Sequence, residues 1–70
     1  MRYTVVIKTG NTSYGAYVPD LPGCVAAGET LAEVQQLIVE AIEFHIEGLI
    51  EEGLPISEPT SIAQEVEVLI

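Results

Sequence analysis

The stretch from Thr30 to Gly53 constrains the fold more than any other part of the sequence, because it predicts one uninterrupted helix of about six turns. Thr30 and Glu33 form a capping-box pair, in which the Thr30 hydroxyl accepts a hydrogen bond from the Glu33 N–H and the Glu33 carboxylate accepts one from the Thr30 N–H. At the other end, Gly53 can adopt the left-handed conformation that closes a helix, and Pro55 prevents its continuation. The rest of the chain must therefore cover the apolar surface of this helix.

The side chains of the helix sort into distinct faces at about 100° per residue. The main apolar stripe contains Leu31, Val34, Ile38, Ala41, Ile42, His45 and Leu49. A polar wedge about 80° wide contains Glu33, Gln36, Glu40, Glu43, Glu47 and Glu51. Two apolar flanks separate the stripe from the wedge: Leu37, Phe44 and Gly48 lie along one, and Val39, Ile46 and Ile50 along the other.

The narrow polar wedge predicts that the helix buries a flank as well as the stripe. A chain of 70 residues buries only about 60% of its unfolded surface when it folds alone, so self-association is expected to add to its stability. We predict a dimer or tetramer whose interface contains Leu37, Phe44 and Gly48, with the opposite flank as the alternative. A further alternative is that Phe44 packs on the linker between Pro55 and Pro59.

The charge balance narrows the class of partner. The formal net charge is −9, and Arg2 and Lys8 are the two basic residues of the chain. Binding to nucleic acid requires Lys and Arg to displace counterions from phosphates, so this chain alone is not expected to bind DNA or RNA. The acidic surface favours a basic protein partner, and the alternative is that the glutamates only form a solvated face.

The single cysteine and the absence of long apolar runs indicate the cellular environment. Cys24 has no second cysteine with which to form an internal disulfide, and we interpret it as a small buried hydrophobic residue. The sequence begins with no basic, apolar signal region, and no apolar run approaches the ~20 residues that span a bilayer. We therefore expect a cytoplasmic protein.

Three segments before the helix have the composition of strands. Tyr3–Thr9 alternates apolar and polar residues, and the turn residues of Gly10–Ser13 connect it to Tyr14–Val18 as a hairpin. Pro19–Gly23 is a compact loop, and the short apolar segment Cys24–Gly28 is the third predicted strand. In the first strand, Tyr3, Val5 and Ile7 share one face, while Arg2, Thr4 and Lys8 share the other.

A fourth strand is predicted after the helix. The linker from Pro55 to Pro59 leads to Glu65–Ile70, in which Glu65 and Glu67 alternate with apolar residues and are expected to face water. Residues 1–70 contain no internal repeat, so they are predicted to form one α+β domain with the order β-β-β-α-β. Its small antiparallel sheet packs on one long helix.

The middle of the chain resembles a known family. Three stretches carry the resemblance: Tyr17–Cys24, which reads YVPDLPGC; Ala27–Leu31 together with Glu33; and the helix end Glu51–Ile56 followed by Pro59. In their order and spacing they resemble the HicB-like antitoxins of bacterial and archaeal toxin–antitoxin pairs. The resemblance implies a reduced ribonuclease-H-like fold that oligomerises and neutralises a small HicA-like toxin, which cleaves messenger RNA.

This resemblance leads to a functional hypothesis. The chain would act as an antitoxin by covering the basic active surface of the toxin, with Asp20, Leu21, Pro22 and Gly23 as the predicted contacts because the two prolines make this loop rigid. Alternatively, the loop only turns the chain into the third strand. The sequence ends at Ile70, so we expect a short form without the DNA-binding segment that many members carry. A stand-alone oligomeric structural or regulatory module with no toxin is the alternative function.

Catalysis is not expected. A metal-dependent nuclease needs several carboxylates around its ions, whereas Asp20 and Glu29 lie at opposite ends of the predicted third strand. Cys24 and His45 could act as nucleophile and base only if the fold brought them together. We therefore predict no catalytic residue, no metal ligand and no cofactor.

Overall fold

A computed structural model describes residues 1–69 and contains three strands followed by one long helix. Strand β1 comprises Val6–Thr9, β2 comprises Tyr14–Tyr17 and β3 comprises Val25–Gly28, and helix α1 comprises Leu31–Glu51. The strands form one antiparallel sheet in the order β1-β2-β3. The predicted α+β architecture, a small antiparallel sheet on one long helix, is confirmed.

The strand register places the core on one face of the sheet. Ile7 pairs with Ala16, and Ala16 pairs with Ala26, so these three residues lie side by side on the inner face. Helix α1 packs across β3 and β2 and contributes Val34 and Ile38 to the core. The buried residues are Ala16, Val18, Leu21, Cys24, Val34 and Ile38, with Tyr3, Val5, Ile7, Tyr14, Ala26, Ala41 and Ile42 packed around them.

Both predicted helix ends are confirmed. The Thr30 hydroxyl accepts a hydrogen bond of 3.1 Å from the Glu33 N–H, although the reciprocal bond of the capping box is not formed among the described residues. At the C-terminus, Gly53 has φ +68°, its N–H donates to the Ile50 carbonyl, and the Leu54 N–H donates to the Leu49 carbonyl. These two bonds form a Schellman motif, which satisfies carbonyls that the helix leaves unpaired.

Gly28 fixes how closely β3 approaches the start of the helix. A Cβ atom at this position would lie 3.0 Å from the Val34 backbone nitrogen and 3.2 Å from Glu33 Cγ. Only glycine fits this spacing without a shift of the helix, so Gly28 determines the contact between sheet and helix.

The faces of the helix follow the predicted stripe with one exception. Val34 and Ile38 are buried, and the stripe continues through partly buried residues, but Leu31 is exposed. Phe44 is 79% exposed, so the alternative in which it packs on the linker is wrong. Both flanks carry exposed apolar residues, namely Leu37, Val39, Phe44 and Ile50.

The predicted fourth strand is not formed in the structure. Glu65–Leu69 carries no regular structure, and Ile70 lies outside the described residues. A strand requires a neighbouring strand for its backbone hydrogen bonds, and no described segment lies beside this one to provide them. The order in the described part of the chain is therefore β-β-β-α.

Candidate partner-binding surface

The loop between β2 and β3 is held in one shape by its own backbone. The Val18 N–H donates to the Cys24 carbonyl (3.2 Å), the Leu21 N–H to the Val18 carbonyl (3.1 Å), and the Cys24 N–H to the Leu21 carbonyl (3.0 Å). Gly23 has φ +84°, a conformation that favours glycine. The loop is therefore a rigid part of the surface, as its two prolines indicated.

The four residues predicted to contact a partner have different environments. Leu21 is only 1% exposed and belongs to the core, so its side chain holds the loop in place. Asp20 is half-buried, and both oxygens of its carboxylate accept hydrogen bonds from within the chain. Pro22 and Gly23 are exposed. Pro22 and Gly23 are therefore the pair that offers contact surface directly.

The Asp20 carboxylate connects the loop to the linker that follows the helix. It accepts from the Ser61 N–H and hydroxyl, both at 2.9 Å, and from the Thr60 N–H and hydroxyl, both at 3.1 Å. These hydrogen bonds, with the one from the Ser61 N–H foremost, lower the pKa of Asp20 because they stabilise the ionised form. No local sequence pattern indicates this contact, because 40 residues separate Asp20 from Thr60.

Two further hydrogen bonds hold the same linker beside the segment that leads into β1. The Tyr3 hydroxyl donates to the Ser57 carbonyl at 2.6 Å, and the Thr4 hydroxyl donates to the Ser61 carbonyl at 2.9 Å. Together with the Asp20 contacts, they determine where the chain leaves the domain after Ser61.

An open groove of about 410 Å³ lies beside the loop, between β3 and the second half of the helix. Phe44 and Gly48 of the predicted oligomer interface line this groove, whereas Leu37 is a half-exposed neighbour on the same flank. A side chain at Gly48 would meet no atom within 4 Å, so this wall of the groove is open. The residues that line it are Gly23, Cys24, Val25, Ala41, Phe44, His45, Gly48 and Leu49.

Cys24 and His45 line the same groove, and the Cys24 side chain is buried. Burial raises the pKa of the Cys24 thiol, which favours the neutral form. Activated cysteines instead have a lowered pKa, caused by a nearby cation or a helix N-terminus. Within residues 1–69, no cluster of His, Cys, Asp and Glu side chains could hold a metal ion.

The outer face of the sheet, which points away from the helix, forms a second exposed surface. Tyr17 pairs with Val25 across β2 and β3, and both side chains are exposed there. Their neighbours Gly15 and Ala27 pair on the same face and are small. Val25, Tyr17 and the exposed tip of the loop, Pro22 and Gly23, thus face solvent on ordered parts of the backbone.

Comparison with known proteins identifies relatives of the whole chain. Residues 3–68 match the model of a family described as the HicB-like antitoxin of bacterial toxin–antitoxin systems. A chain of a solved structure described as the HicA3 and HicB3 toxin–antitoxin complex is similar with a TM-score of 0.73 and 35% sequence identity. This similarity covers 86% of the present chain and 70% of the other.

Similar proteins also occur in a phage and in two bacteria. An uncharacterised 14.9 kDa protein of Haemophilus phage HP1 is 49% identical over 61 residues, and the matched part spans 84% of this chain but only 46% of the phage protein. A UPF0150 protein of Synechocystis is 39% identical, with 99% of this chain and 89% of that protein covered. A UPF0150 protein of Helicobacter pylori is 33% identical, with 97% of this chain and 96% of that protein covered.

Within residues 1–69, the helix is not long and apolar enough to cross a membrane.

Proposed function

The chain belongs to the HicB-like antitoxin family of bacterial toxin–antitoxin systems, and on this premise we propose that it neutralises a small HicA-like toxin by covering the basic surface with which that toxin engages RNA. The observation that carries the proposal is the family match over residues 3–68. The similarity to a chain of a HicA3–HicB3 complex supports the choice of partner.

Charge complementarity supports this mechanism. A toxin that cuts RNA needs a positive surface to bind the phosphates of its substrate. A chain with a net charge of −9 has the opposite sign and will be drawn to that surface. Such complementarity raises the rate at which the two proteins associate, and it disfavours binding to acidic proteins. The same charge opposes direct binding of this chain to DNA or RNA. We place the encounter in the bacterial cytoplasm, where messenger RNA is found.

The proposed contact surface combines the loop and the outer sheet face. Pro22 and Gly23 offer a rigid tip, and Tyr17 supplies an aromatic side chain of the kind that is enriched at interfaces. Asp20 supports this surface through its hydrogen bonds to the linker. Leu21 supports it through its packing in the core. A surface that is already ordered loses less entropy on binding, which favours this part of the molecule.

The proposed action is steric and electrostatic, without catalysis by this chain. The raised pKa of the Cys24 thiol argues against a nucleophile in the groove that contains His45. The flank with Leu37, Phe44 and Gly48 is assigned to self-association, since Phe44 is exposed in the single chain. This exposure would equally suit a stand-alone oligomeric module, which is the second candidate function.

Co-expression tests the proposal and separates the two candidates. The gene of a HicA-like toxin is expressed with and without the present chain, and we expect growth rescue and a co-purifying complex. Tyr17→Lys should weaken the complex by about tenfold, the loss expected of a moderate interface residue. Gln36→Lys adds the same charge to the exposed polar wedge of the helix and should leave the complex unchanged. Equal growth arrest with and without this chain would contradict the antitoxin function, and equal effects of both variants would contradict the site.

A further inference from the structure

The groove between β3 and the second half of the helix leads toward the acidic end of the helix. Ala41, His45 and Gly48 line the groove, and their spacing places them in one row along the helix surface. The next position of this row, four residues after Gly48, is Glu52, which is exposed and caps the helix C-terminus. The row of residues that lines the groove therefore ends at an exposed glutamate.

This end of the groove is negative for two reasons. The negative end of the helix dipole lies at the C-terminus, and the last turn contains no basic residue to offset it. Glu51 and Glu52 add two exposed carboxylates at the same place. The two basic residues of the chain, Arg2 and Lys8, lie in β1 or just before it, and β1 is at the opposite edge of the sheet from β3. The charge at this end of the groove is therefore left for a cation from another molecule.

The walls of the groove suit an apolar side chain. Ala41 and Leu49 are apolar, and at Gly48 a Cβ would meet no atom within 4 Å, which leaves open space in the groove of about 410 Å³. Phe44 also lines the groove, but its side chain is largely exposed, so most of its ring remains available for the self-association proposed above.

A groove with apolar walls and a negative end fits a segment that carries an apolar side chain close to a lysine or arginine. The apolar side chain is stabilised when it leaves water. The aliphatic stem of Lys or Arg packs along apolar surface while its charged head stays in water, where it can meet a carboxylate. A second copy of this chain is a poor occupant because its net charge is −9 and it has only two basic residues.

We infer that the groove receives a segment of the toxin in which an apolar side chain lies close to a lysine or arginine, with the cation placed at Glu52. This inference rests on the proposed function, because it takes the basic toxin as the occupant. Gly23 lines the groove and also belongs to the rigid loop tip of the proposed contact surface. The contact with the toxin thus continues from the loop tip into the groove.

Charge reversal at the end of the groove tests the position of the cation. Glu52→Lys sets a positive charge against the cation of the toxin, and Glu58→Lys makes the same change in net charge on the exposed linker. A lysine at a helix C-terminus is favourable for the helix dipole, so Glu52→Lys is expected to fold. Titration calorimetry with a purified HicA-like toxin should show at least about tenfold weaker binding for Glu52→Lys than for Glu58→Lys. This difference should shrink as salt rises.

A pair of substitutions at Gly48 tests whether the groove itself is occupied. Gly48→Leu fills the groove from the helix side, whereas Gly48→Ala adds one methyl group to the open space. Both substitutions favour the helix over glycine, so both variants are expected to fold, which circular dichroism verifies. We expect at least about tenfold weaker binding of the toxin by Gly48→Leu than by Gly48→Ala. Light scattering compares the assemblies of the two variants, and if they differ, the Glu52 pair decides.

The outcomes separate this inference from the proposed function. A wild-type chain that does not bind the toxin contradicts the proposed function, and the groove inference fails with it. If the wild type binds but Glu52→Lys binds as tightly as Glu58→Lys, the groove inference alone is overturned. Equal binding by Gly48→Leu and Gly48→Ala overturns it in the same way, and the loop and outer sheet face then remain as the proposed contact.

Discussion

Asp20 illustrates how one side chain can serve a role that its local sequence does not indicate. It lies in a loop rich in turn residues, which led to the expectation of an exposed partner contact. Its carboxylate instead accepts four hydrogen bonds from Thr60 and Ser61 and anchors the linker to the loop. The loop was predictable because its turn chemistry is local, whereas the linker contact spans 40 residues and depends on the completed fold.

The stability that the Asp20 hydrogen bonds contribute should decrease in acid. Because the pKa of Asp20 is lowered from 3.8 in the folded chain, its hydrogen bonds contribute fully to stability above the unfolded value. That contribution is lost as the pH falls below 3.8 and through the lower pKa of the folded state. We expect the Thr60 and Ser61 amide protons of Asp20→Asn to be less protected at neutral pH, relative to the exchange rates of an unstructured chain at the same pH, whereas those of the wild type lose this protection only in acid. Glu58→Gln makes the same change in the exposed linker and should leave both amides protected, and equal loss in both variants would contradict the assignment.

Gly28 carries a second prediction at the scale of one residue. In Gly28→Ala the new Cβ would lie 3.0 Å from the Val34 nitrogen, so β3 and the helix start must move apart. We expect a loss of about 1–3 kcal/mol in the free energy of unfolding, measured by urea denaturation. Gly15→Ala serves as the control because its Cβ would meet no atom within 4 Å, and it should change stability by less than about 0.5 kcal/mol. A similar loss in both variants would show that contact with the helix is not the cause.

At the scale of secondary structure elements, the parts with local signals were predictable and the pairings between distant parts were not. The three strands follow from alternation, apolar composition and turn residues, although the first begins at Val6 and not at the predicted Tyr3. The helix ends follow from Thr30 and Gly53. The alternation of Glu65–Ile70 predicted a strand equally well. Glu65–Leu69 forms no strand in the structure, because a strand needs a neighbour for its backbone hydrogen bonds and sequence alternation alone cannot supply one.

The exposed flank of the helix carries a prediction of its own. Phe44 leaves a large apolar side chain in water beside an open groove, so a second copy is expected to cover it. Phe44→Glu should shift the species found by light scattering at about 100 μM toward smaller assemblies. Val39→Glu places the same charge on the opposite flank and should have no effect. If Val39→Glu alone disrupts the assembly, the interface lies on the opposite flank.

At the scale of the whole molecule, the acidic surface and the fold serve the same proposed purpose. A chain of 70 residues with a net charge of −9 has a modest core, and its sheet presents an ordered outer face with a rigid loop at one end. Self-association through the helix flank would stabilise this small core and bring several acidic faces together. An assembly with several such faces would bind several toxin molecules at once.

Inhibition of RNA cleavage in a purified system tests the central claim most directly. The partner toxin is incubated with a labelled RNA, and the present chain is added in increasing amounts at several salt concentrations. We expect cleavage to stop when the chain reaches a stoichiometric ratio to the toxin, with weaker inhibition as salt rises because screening reduces the attraction between opposite charges. Undiminished cleavage with the chain in excess at low salt would contradict the proposed function.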